Sequence, residues 1–204
     1  MRIPIAIVFA IAAQSLVACA TNPLPSPSTP MPQGIPAQDP PPGFVSFCLR
    51  FVDQCSPDGA APAIVALDQP TWTLANEVNL HWNASIRPEH DKAHYDRAEY
   101  WTIPTDGFGD CKDYALAKRK QLSDLGLPLK ALRLAIVETA ENERHAVLTI
   151  ATDKGDYVLD NLTNEILPWN ATSYHWIARQ EAKGDWDSFS TDNRPTQIAS
   201  MAFR

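Results

Sequence analysis

The chain has 204 residues, 45% of them apolar and 20% charged, with a net charge of −7 and a pI near 5.1. That is material for one domain of modest size once the ends are set aside. The acidic balance, without a basic patch interleaved with aromatics, argues against a nucleic-acid partner, and the eight glycines do not cluster as phosphate loops or dinucleotide fingerprints require.

Residues 1–19 read as an export signal. Arg2 supplies a positive start, Ile3 to Val17 an apolar run too short to cross a membrane, and Leu16-Val17-Ala18-Cys19 the pattern of a lipobox, with Cys19 as the lipidation site. Ordinary cleavage after Ala18-Cys19-Ala20 is the alternative. Nine of the 18 prolines lie between Pro23 and Pro42, so residues 20–43 read as a polyproline-like linker. At about 3.1 Å per residue it would hold a domain roughly 60 Å from its anchor. The expected location is the periplasm, with membrane contact only through a lipid, or else a soluble periplasmic or secreted form. The remaining residues, 44–204, are the expected domain, as a monomer.

Trp72 to Arg87 has Leu74, Val78, Trp82 and Ile86 on one side and reads as an amphipathic helix, with Asn79 and Asn83 placed to line a cleft. His90 and His94 are four apart, but no third ligand stands at metal spacing and zinc is not expected. Asp110 then caps a second helix, whose apolar face includes Tyr114, Ala115, Leu116, Ala117, Leu122 and Leu125, and which Gly126 and Pro128 stop. Cys111 falls in its first turn. There, unpaired N–H groups and the positive end of the helix dipole favour thiolate and can face an oxyanion.

Leu129 to Val137 reads as a strand, Glu138 to Arg144 as a polar connection, and His145 opens the strand Ala146 to Ile150. Asp153-Lys154-Gly155 turns into Tyr157-Val158-Leu159-Asp160. Folding that hairpin sets His145 and Asp160 on neighbouring strands near the same end, within reach of a cross-strand pair. The Asp would accept from one imidazole nitrogen and leave the other to take a thiol proton. Trp169, Trp176 and Trp186 lie on late segments suited to complete the sheet or shield its edge.

The run Tyr100-Trp101-Thr102-Ile103-Pro104, then GFGDCKDYALAK, Leu132-Arg133, His145-Ala146-Val147-Leu148 and Leu159-Asp160-Asn161 resembles the bacterial transglutaminase-like cysteine peptidases, which include LapG-type periplasmic proteases that clip surface adhesins. The resemblance spans about residues 72 to 177. It implies an α+β, papain-like core with the nucleophile helix on an antiparallel sheet, and a catalytic triad of Cys111, His145 and Asp160. LapG-type members carry Asp-Cys-Glu-Asp, with acidic residues that bind calcium, where this chain has Lys112 in place of the Glu. Asp110 and Asp113 stay candidate weak calcium ligands. An ammonium there removes an oxygen ligand and repels a dication, so no cofactor is expected to be required and calcium is disfavoured.

With Cys19 lipidated and Cys111 the nucleophile, Cys48 and Cys55 remain as a disulfide pair suited to an oxidising compartment. Trp101 and Asn161 are candidates for cleft wall or oxyanion support. The expected reaction is attack on a peptide or glutaminyl carbonyl through a thioester, on a protein or peptide substrate such as a surface adhesin. Water as second nucleophile makes a protease and an amine makes a transglutaminase; a non-catalytic binding module is the third reading.

Overall fold

A computed structural model describes residues 22–56 and 59–189; the expected export signal, with Cys19, lies outside them. The first regular element, β1 (Ile35–Gln38), belongs to the proline-rich stretch, and it is followed by α1 (Pro42–Arg50), which buries Phe44 and Phe47. Cys48 and Cys55 form the expected disulfide, which ties α1 to the single 3-10 turn after it.

Helix α2 (Gln69–Ser85) starts where Asp68 accepts from the Thr71 N–H at 2.9 Å, with Pro70 in the first turn, where a missing N–H costs nothing. It buries Trp72, Ala75, Val78 and Asn79. A small parallel pair, β2 (Arg87–Pro88) and β3 (Phe108–Gly109), flanks the short α3 (Asp91–Tyr95) and leads into α4 (Cys111–Asp124).

Among the described residues the main sheet has seven strands. Beyond β1, these are β4 (Leu132–Glu138), β5 (Arg144–Thr152), β6 (Gly155–Leu159), β7 (Leu167–Pro168), β8 (His175–Gln180) and β9 (Trp186–Ser188), in the order β1-β9-β8-β4-β5-β6-β7 and antiparallel throughout. Helix α4 packs on β5, with α2 against its side. Ala115, Leu116 and Leu122 of α4 meet Leu134, Ile136, Leu148, Ile150, Tyr157 and Leu159 in one core, each large side chain contributing roughly 1.5–3 kcal/mol. Trp186 is buried there in edge contact with Phe44, while Trp169 and Trp176 pair on the opposite face of the sheet. The mixed helix and antiparallel-sheet architecture is the α+β class expected.

Part of the proline-rich stretch is docked on this sheet. β1 pairs with β9, the Ser28 N–H donates to Lys154 O at 2.8 Å, and Tyr157 Oη and Trp169 Nε1 donate to Ser26 O and Thr29 O, both at 2.9 Å. A proline-rich segment leaves its carbonyls unpaired, and side chains that reach them hold it down. Gly155, at φ 105° where the turn enters β6, lets Ser28 approach: a Cβ there would lie 2.6 Å from the Ser28 carbonyl carbon. The sheet therefore takes in residues that the sequence assigned to the linker.

Candidate active site

Cys111 is the first residue of α4, whose start is held by Asp113: its carboxylate accepts from the Asp110 N–H and the Thr102 N–H, both at 3.1 Å. The sulfur lies against the backbone at the start of β5, where the Ala146 N–H points at Sγ from 3.4 Å. His145 is the neighbouring residue. Its Nε2 is 2.7 Å from Asp160 Oδ1. The β5–β6 register pairs Leu148 with Leu159, so Asp160 follows opposite Val147 and diagonal to His145, the geometry that reaches across a pleat. The structure thus brings Cys111, His145 and Asp160 to one place.

Asp160 is held from several directions. Leu162 N–H donates to Oδ1 at 3.1 Å, the Tyr174 hydroxyl donates to Oδ2, and Asn83 Nδ2 donates to the Asp160 carbonyl at 2.9 Å. Asn83 also reaches Thr163 O, and Asn79, one turn earlier on α2, holds Asn164 O at 3.1 Å. The two asparagines grip the loop after Asp160 instead of lining an open cleft. Burial alone would raise the Asp160 pKa, but the hydrogen bond and charge of His145, with Tyr174 and Leu162, hold it below its usual value. An ionised carboxylate only accepts, so Nε2 is the nitrogen that donates to Asp160 and Nδ1 is the one left facing away from it.

The thiol differs from the sequence expectation. Cys111 is 1% exposed, and burial, aided by the charge of Asp110, pushes its pKa well up; Lys112 and the Ala146 N–H act in the opposite direction. The helix terminus is outweighed because the thiolate is taken out of water. Trp101 is in the core, its indole N–H donating to Glu99 Oε1 at 2.6 Å and its ring packed on Phe44, and Asn161 keeps a buried Oδ1 without a hydrogen-bond partner.

Beside Cys111 lies a buried acidic cluster. One carboxylate oxygen each of Asp91, Asp110 and Asp113 lie within 4.8 Å of one another. Lys112, itself buried, sets its Nζ 2.6 Å from Asp91 Oδ2 and 2.5 Å from Asp110 Oδ2. One ammonium faces three carboxylates. Burial, with the neighbouring acids, pushes Asp113 up to about 8 and Asp110 to about 6 in spite of Lys112. Among the described residues, Asp91 Oδ1 and Asp110 Oδ1 are buried without a hydrogen-bond partner.

Three participants escaped the sequence reading. Asp91 and Tyr174 come from remote segments and carry no local signal. Lys118, two turns after Cys111, is a buried amine without a hydrogen-bond partner among the described residues, drawn by burial to about 7 against the pull of Asp160. Helical spacing places it on the Cys111 face, which was the available clue. His94 pairs with Asp106 at 2.9 Å.

The sequence profile of the bacterial transglutaminase-like cysteine proteinases matches residues 35–194. Among solved structures, LapG of Legionella pneumophila superposes with a TM-score of 0.51 at 28% identity, covering 58% of this chain and 69% of that one. A calcium-bound LapG from the same organism gives 0.51 at 25% identity, covering 61% and 74%, and an EGTA-treated one 0.52 at 27%, covering 60% and 70%. Among curated proteins none matches. These findings correct the expectation that no cofactor is required and that Lys112 disfavours calcium: a structural relative is calcium-bound, and this chain keeps a three-carboxylate cluster. The Asp110-Cys111-Lys112-Asp113 segment by itself offers two carboxylates against Lys112. Asp91 supplies the third, and Lys112 neutralises only part of the set.

Proposed function

The chain belongs to the bacterial transglutaminase-like cysteine proteinases, and from that premise we propose that it hydrolyses a peptide bond in an exported envelope or surface protein through Cys111, His145 and Asp160. The observation that carries this reading is the Asp160–His145 pair at 2.7 Å, set next to a sulfur that begins a helix. His145 Nδ1 takes the proton from Cys111 Sγ, and the sulfur attacks the substrate carbonyl. N–H groups of the first turn of α4 hold the oxyanion, each such donor worth about 10²–10³ in kcat. His145 passes its proton to the leaving amine, and the thioester is hydrolysed by water that His145 deprotonates. With Sγ almost fully covered, a substrate must displace its cover to reach it.

Export rests on the signal over residues 1–19 and on the Cys48–Cys55 disulfide, which suits an oxidising compartment; Cys19 is the proposed lipid anchor. A surface adhesin with an extended linker of small residues is the proposed substrate. The test adds the purified chain to an envelope extract together with a labelled primary amine. New peptide termini without incorporated label are expected. Incorporated label without new termini would make it a transglutaminase, and neither product would leave a binding module.

The acidic cluster fits a divalent cation, since its donors are hard oxygens, two of them orphaned, and its charge is under-compensated. Asp91, Asp110 and Asp113 would hold calcium, which balances charge beside the start of α4. Calcium at 100 times its Kd adds about 2.7 kcal/mol, so chelation with EGTA should lower the melting temperature by on the order of 5–10 °C for a domain of this size. Differential scanning fluorimetry reads the shift, and Asp91→Asn should remove it. A melting temperature indifferent to calcium and EGTA alike would refute the site.

A further inference from the structure

Asp160 offers two carboxylate oxygens, and they are engaged from two directions. Oδ1 takes His145 Nε2 at 2.7 Å and the Leu162 N–H at 3.1 Å; Oδ2 takes the hydroxyl of Tyr174. Tyr174 lies between a 3-10 turn (Trp169–Ala171) and β8, on a different part of the chain from the β5–β6 hairpin that carries the pair. Its ring is tilted 51° to the His145 imidazole at 5.8 Å between centroids. With Leu162 and Leu167 it walls a recess of about 350 Å³ that reaches Asp160. Burial, and then the charge of Asp160, push the phenol pKa far up, so the hydroxyl is a constant donor.

A carboxylate bonded at one oxygen can swing about its Cβ–Cγ bond and carry the imidazole with it. One bonded at both cannot. We propose that Tyr174 is a positioning residue: its hydroxyl locks the Asp160 carboxylate and, through it, the His145 ring in the orientation that presents Nδ1 to Cys111. This rests on the triad reading above, and it belongs with the outer-shell contacts that fix a reacting group within a fraction of an ångström.

The test labels the full chain with ¹⁵N-histidine and measures solvent exchange of the His145 Nε2 proton by NMR, beside the rate of Cys111 alkylation by iodoacetamide at one fixed pH. Tyr174→Phe keeps the ring and its packing. It should speed the exchange about fivefold to tenfold, the worth of one hydrogen bond, and slow alkylation by a similar factor. A structural role alone would move the melting temperature and leave the exchange unchanged. Rates within about twofold of the parent, less than one hydrogen bond supplies, would overturn the proposal. Should the Phe variant not fold, the parent itself decides, since a locked hydroxyl gives a slowly exchanging Tyr174 proton and its absence refutes the lock. Because no substrate is involved, failure here leaves the protease reading standing, and failure of proteolysis leaves the positioning result standing.

Discussion

Cys111→Ala is expected to abolish the new peptide termini that the chain produces, lowering turnover by at least ~10⁴-fold. In the proposed mechanism only this sulfur can form the thioester, and no other free cysteine lies among the described residues. The replacement removes one buried atom from a site packed by Ala115 and Leu116, so the fold should hold at a cost of about 1 kcal/mol. His145→Ala should cost nearly as much, because a thiol held in its neutral form needs a base to attack. The double variant should be little worse than either single one, since residues that act as a unit are not additive. The measurement is a proteome-wide comparison of N-termini in envelope fractions exposed to the parent or to Cys111→Ala. Identical sets would refute the proteolytic reading.

Lys112→Met is expected to destabilise the chain by roughly 3–5 kcal/mol in the presence of chelator. The ammonium is fully buried between Asp91 and Asp110, and its loss strands carboxylates that are already short of positive charge. The exposed pairs Lys92–Asp96 and Lys120–Asp124 make the contrast, because removing either should change stability by about 0.3–0.5 kcal/mol. Urea unfolding reads the difference. Added calcium should recover part of the loss, as a dication supplies the missing charge. A cost under about 1 kcal/mol would show that the buried lysine is dispensable.

What the sequence made legible was local. The second long helix starts at Cys111 as its cap residue and apolar spacing indicate, and the hairpin turns at Asp153-Lys154-Gly155 with the expected register. The strand anticipated from Leu129 begins at Leu132 instead, because the residues after Pro128 first make a 3-10 turn. Hidden features depended on distant partners. β1 looks like linker because prolines dominate its neighbourhood, and only β9, some 150 residues later, makes it a strand. Asp91 and Tyr174 reach the site across the fold, so their own neighbours in sequence say nothing of it. The burial of Cys111 is hidden for the same reason: a helix start can be read locally, whereas exclusion of water is set by everything packed around it.

The near-complete burial of Cys111 bears on how the chain handles oxidants. Among the described residues it contains a closed Cys48–Cys55 disulfide and one free cysteine, a combination prone to scrambling wherever a thiolate can attack a disulfide. Peroxide likewise turns accessible thiolates into sulfenic acid. A Cys111 thiol kept covered is spared both fates, so the fold itself preserves the reducing equivalent that the sulfur carries.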